Sequence, residues 1–132
     1  MRTVEEIGRE FFEAFDDTLI DALTGIHTQL SVGDAGELSK LCNTIQNSEN
    51  DLYNMSKKLK ELSDKLMECG VVENVVAYLE LSFKTESLID KLIKFTDFAQ
   101  SQNLSSKIKI DALDELDKEY KSYIELKNKY NM

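Results

Sequence analysis

The side chains that could do chemistry in this chain are few, and their spacing keeps them apart. The single histidine, His27, has Thr24 three residues before it and Leu30 three residues after it, so the Glu-x-x-His pairing that builds di-iron sites in helical bundles is missing. Cys42 and Cys69 stand 27 positions apart. Along one helix that spacing is about 40 Å, beyond disulfide reach and without the Cys-x-x-Cys step of a zinc site. The segment GDAG, residues 33–36, has no lysine and too few glycines to cradle a phosphate, and no Gly-x-Gly-x-x-Gly, P-loop or EF-hand loop occurs. A serine nucleophile would have His27 alone as its base. The expectation is a chain with no catalytic residue, no cofactor and no metal, in which His27 is a surface or boundary residue.

Charge is the more informative chemistry. With 25 acids against 16 bases the net charge is −9, which repels nucleic-acid phosphates and anionic membrane surfaces, so neither is an expected partner. The charge is uneven: residues 1–36 hold 8 acids and 2 bases, and the remaining three-quarters of the chain is close to balanced. Glu6, Glu10, Glu13, Asp17 and Asp21 follow one another at three- or four-residue steps, which stacks them into one ridge on a helix. Each like-charged pair on such a ridge costs about 0.2–0.5 kcal/mol. The ridge reads either as a solvated face or as a docking strip for a basic protein.

The elements that must position this ridge are helices. The chain has 132 residues, 42% of them apolar, with no proline and five glycines, so long helices forming one domain over residues 1–132 are the natural outcome. Thr3 and Glu6 form a capping box ahead of Val4, Ile7, Phe11, Phe15, Leu19, Leu23, Ile26 and Leu30, the first helix. SVGDAG at residues 31–36 is a turn. A second helix then carries Leu38, Leu41, Ile45, Ser48, Leu52, Met55, Leu59, Leu62, Leu66 and Cys69 at alternating three- and four-residue steps, a coiled-coil seam expected to run unbroken to Gly70. A third helix covers residues 72–99; its opening, VVENVVAYLELSF, is apolar in nearly every direction around the axis. The run QSQNLSSK, residues 100–107, is a turn before a fourth helix carrying Leu113, Leu116, Tyr120, Tyr123 and Tyr130, interrupted by Lys127.

The fold class expected is therefore all-α, an elongated up-down-up-down bundle of four long helices with a coiled-coil-like seam on the second. All six phenylalanines fall on the first and third helices, so these two are expected to share an aromatic core that includes Phe11, Phe15 and Phe83. The narrow seam of the second helix fits burial within the chain or pairing with a second copy as a homodimer. No run of about 18 apolar residues occurs, and acids interrupt the N-terminal MRTVEEIGREFFEAF where a signal peptide must be apolar. With two free thiols expected, a cytoplasmic location follows.

A non-enzymatic protein–protein interaction module, a helical subunit of a multi-protein assembly, is the function these features favour. The alternative is a small acidic chaperone or adaptor that holds a client helix. Residues 19–55, in which leucines close one helix, a Gly-Asp turn follows and a leucine-spaced helix begins, resemble the hairpin of flagellar export chaperones. A ligand-sensing bundle is the third reading, and with only Ser48 and Lys127 polar in the seams no small-molecule substrate is expected.

Overall fold

Local capping chemistry sets most of the helix boundaries. The structure, a computed structural model, describes residues 3–72, 74–101 and 103–132. They form five helices: α1 (Val4–Val32), α2 (Ala35–Asn47), α3 (Glu49–Glu68), α4 (Val75–Ala99) and α5 (Ser106–Lys129). Thr3 Oγ1 accepts from the Glu6 amide at 3.2 Å and starts α1. Gly33, at φ 76°, ends it by returning its N–H to the Gln29 carbonyl. The next residue, Asp34, caps α2 by accepting from the Glu37 amide at 3.0 Å, so the GD pair closes one helix and opens another.

The single long second helix expected from the heptad is two helices. α2 ends at Asn47 and α3 begins at Glu49. Ser48 donates its amide to Ile45 rather than to the fourth residue back, at 3.0 Å, and its hydroxyl to the Thr44 carbonyl at 3.1 Å. The run Asn47, Ser48, Glu49, Asn50, Asp51 places residues that favour caps over helix interiors at the middle of the seam, and a serine bonded back to its own helix bends it. The break interrupts the seam but not its burial: Leu38, Ile45, Leu52, Leu59, Leu62 and Leu66 all lie inside the single chain. Cys69, the last seam position, is exposed.

α3 stops as its glycine dictates. Gly70 sits at φ 73°, its amide bonds Met67 at 3.1 Å and the Val71 amide reaches back to Leu66 at 2.9 Å, the double bond of a Schellman turn. Ser105 then caps α5 through the Ile108 amide at 3.3 Å.

The helices form a bundle around one hydrophobic core. α4 packs along α3 and also against α2 and α5, while α1 packs against α2, α3 and α5. Although Tyr78 of α4 reaches Gly8 of α1, among the described residues α1 and α4 make no close backbone approach and no aromatic ring of one lies against a ring of the other. That overturns the expected aromatic core. Phe83 is 59% exposed, because Leu81, Leu88, Ile89 and Leu92 claim the inward face of α4. The ring cluster instead joins Phe11, Phe12 and Phe15 of α1 to Tyr123 and Tyr120 of α5, Phe15 and Tyr123 lying edge to face with centroids 5.5 Å apart.

Leu59 is fully buried at the centre of α3. Its replacement by alanine is expected to cost about 2–5 kcal/mol, the range for a core leucine. Urea denaturation checks this; a loss below roughly half a kcal/mol would mean that the α3 face is not core.

Candidate interaction surfaces

The acidic ridge is on the surface, as a ridge. Glu6, Glu10, Glu13, Asp17 and Asp21 are all exposed along α1. Glu10 borders a groove of about 510 Å³ between α1 and α3 that Lys58 and Lys65 also line, so α3 supplies positive charge along one flank of the ridge. The sequence shows no direct sign of this, since the lysines lie some fifty residues away.

Asp16, one residue off the ridge, turns inward and does different work. It accepts a hydrogen bond from the Tyr123 hydroxyl at 2.6 Å and pairs with Lys127. Lys127, which interrupts the apolar spacing of the last helix, thereby becomes the partner of a carboxylate on α1. Its ammonium also lies 5.5 Å from the Phe12 ring centroid and 5.7 Å from that of Tyr123. Burial, then the hydrogen bond to Asp16, raises the Tyr123 phenol far above its ordinary value. Phe12, Asp16 and Lys127 also line a cavity of about 390 Å³ between α1, α4 and α5, together with Tyr78 and Tyr130.

Further polar bonds tie α5 to the bundle. Glu119 receives Lys91 at 2.8 Å and Lys84 at 3.2 Å, and the Lys91 bond leads in holding its carboxyl below the usual range, against the opposing effect of burial. His27 Nε2 lies 2.8 Å from Asp117 Oδ2 at the α1–α5 surface. The only histidine is therefore a surface clasp. Burial pushes the Cys42 thiol up, away from the reactive thiolate form. Among the described residues no group of three His, Cys, Asp or Glu side chains is placed to hold a metal ion, and no helix is long and apolar enough to cross a membrane.

What the sequence reading missed is an apolar surface at one end of the molecule. Met67, Val72, Val76 and Phe83 are 63%, 67%, 57% and 59% exposed, and Val71, between them, is also largely open. Val76, Leu79 and Phe83 follow at a three- and a four-residue step, so they share the solvent face of α4, with Leu79 half-buried. The signal was present in VVENVVAYLELSF as the apolar residues left over once the inward face, Val75, Tyr78, Leu81 and Ser82, is assigned.

Comparison of the chain with protein-family models, with curated proteins and with solved structures returns no match.

Two outcomes follow from the polar contacts. All five tyrosine phenols are raised, Tyr53, Tyr78, Tyr120 and Tyr123 chiefly by burial and Tyr130 chiefly by its hydrogen bond to Glu80. The folded state holds these protons more tightly than the unfolded state, so stability is complete below about pH 10, the unfolded tyrosine value, and falls as pH rises past it. Absorbance titration at alkaline pH is expected to show delayed tyrosinate formation that coincides with loss of helical circular dichroism. Asp16→Asn, which removes the charge that Lys127 and Tyr123 share, is expected to cost about 1.5–3 kcal/mol in urea denaturation, the range for hydrogen bonds to a charged group.

Proposed function

We propose that this chain is a non-enzymatic protein–protein interaction module, a helical subunit of a larger assembly, built as an up-down-up-down bundle whose α2–α3 corner replaces one coiled-coil-like helix. The observation that carries the reading is the second apolar face of α4. A helical segment apolar on most sides is ordinarily buried on most sides, yet in the first turns of α4 one side is core and Val76 and Phe83 are open on the other. Scattered exposed apolar residues are unremarkable, whereas several gathered on one helix and its leading turn mark a contact surface. The setting that fits is an intracellular one, with Cys42 and Cys69 as free thiols.

The acidic face of α1 supports a second mode of contact within the same reading, docking of a basic protein through Glu6, Glu10, Glu13, Asp17 and Asp21. Exposed charges of this kind act mainly by steering association, and the effect is screened by salt. A small acidic chaperone that covers a client helix would use the same two surfaces and is the alternative form of the proposal.

The two surfaces separate by kinetics. For a protein partner captured with the parent chain, Val76→Gln/Phe83→Gln is expected to raise the dissociation rate by at least about tenfold, since truncated apolar anchors act mostly through lifetime. Glu6→Gln/Glu13→Gln/Asp17→Gln is expected to lower the association rate and flatten its salt dependence. Surface plasmon resonance at low and at roughly physiological salt reads both. Unchanged rates in both variants would retire the interaction-module reading for these surfaces.

A further inference from the structure

The chemistry around the α4 stripe defines what it accepts. Val76, Leu79 and Phe83 repeat at the spacing by which one helix presents anchors to another. Acids border the stripe on both sides. Glu80 is four residues from Val76 and three from Phe83, and Glu86 is three beyond Phe83. Among the described residues neither Glu80 nor Glu86 is ion-paired. The one lysine within this part of α4, Lys84, is engaged with Glu119 at 3.2 Å, and the lysines Lys57 and Lys60 stand only on the α3 side, across the groove from Glu86.

We infer that the exposed face of α4 from Val76 to Phe83, extended by Val72 in the turn that leads into it, is a docking surface for an amphipathic helix of another protein whose apolar stripe is flanked by lysine or arginine. This rests on the interaction-module reading and names the partner's chemistry. A second copy of the chain is the poorer occupant. Antiparallel pairing of two α4 stripes about Leu79 would bring the two Glu80 carboxylates together, between two molecules that each carry a charge of −9, and like charges facing across an interface oppose it. A cation-flanked helix instead meets Glu80 and Glu86 with opposite charge while its apolar residues cover Val76 and Phe83.

The test uses two synthetic helical peptides of about 15 residues, roughly four turns. Both carry leucine at the a and d positions; one has lysine and the other glutamate at e and g. Fluorescence anisotropy of each labelled peptide against the full chain is expected to show the lysine peptide binding at least about tenfold tighter, with affinity falling as salt rises. Val76→Gln/Phe83→Gln, which leaves the net charge unchanged, is expected to weaken the lysine peptide by at least about tenfold, while Glu6→Gln/Glu13→Gln/Asp17→Gln leaves most of its affinity. Amide chemical-shift changes in the parent chain are expected to centre on Val76, Leu79 and Phe83, which reports the site even should a variant misfold. Equal or tighter binding of the glutamate peptide would overturn the partner chemistry and leave the docking surface standing. Binding of neither peptide would overturn both, and lysine-peptide binding that survives Val76→Gln/Phe83→Gln but is lost in the α1 variant would move the contact to the acidic ridge and overturn the assignment to α4.

Discussion

The contact between α3 and α4 is the constraint from which the rest of the structure follows. Ser63 Oγ donates to the Val75 carbonyl at 3.1 Å. One heptad earlier on α3, Ser56 Oγ lies 3.1 Å from the Ser82 carbonyl and 2.8 Å from Thr85 Oγ1, which is itself 3.0 Å from that carbonyl. One hydroxyl of the pair donates to the carbonyl and the other to its neighbour, so every group is satisfied. Ser56 and Ser63 are seven residues apart, as are Ser82 and Val75 in the opposite direction, and both bonds therefore specify one antiparallel register. Small side chains at these positions also let the helices approach closely. A buried hydroxyl that lost its partner would cost about 1–3 kcal/mol, so sliding or rotating α4 is penalised at two points at once.

Fixing α4 fixes what it shows to each neighbour. Leu81, Leu88, Ile89 and Leu92 are turned into the core, and α5 lies against the next flank through the Glu119 bonds to Lys84 and Lys91. α1 packs against α2 and α3 and is tied to α5 by Phe15 on Tyr123 and by the Asp16 pair with Lys127. The remaining side of α4 has no helix left to cover it, and it carries Val76 and Phe83. The acidic ridge of α1 is outward for the complementary reason, since Phe11, Phe15, Leu19 and Leu23 occupy the inner face of that helix.

Much of this was legible in the residues themselves. Thr3, Gly33, Asp34, Gly70 and Ser105 act where cap and turn chemistry puts them, and the leucines of α3 are buried at their heptad spacing. The break at Ser48 was not legible because the heptad pattern runs straight through it; the competing preference of Asn47, Ser48, Asn50 and Asp51 for cap geometry is local and outweighs a periodic signal there. The partner of each helix was less legible still. The clustering of all six phenylalanines on two helices predicts an aromatic core that includes Phe83, but it says nothing about rotation, and rotation is set by Ser56 and Ser63, polar residues beside the seam rather than in it. The role of Asp16 has no sign in the sequence, since only the arrival of Tyr123 and Lys127 from more than a hundred residues away gives it an inward partner.

α4 is held in one rotation, with its first half apolar toward the core and apolar toward solvent. Hydroxyl-radical footprinting of the dilute chain, read by mass spectrometry, tests this on the native side chains. Met67, Val76 and Phe83 are expected to oxidise rapidly while Leu81, Leu88, Leu92 and Phe95 stay protected. Protection of Phe83 together with rapid oxidation of Leu81 or Phe95 would show α4 turned the other way and would contradict the account.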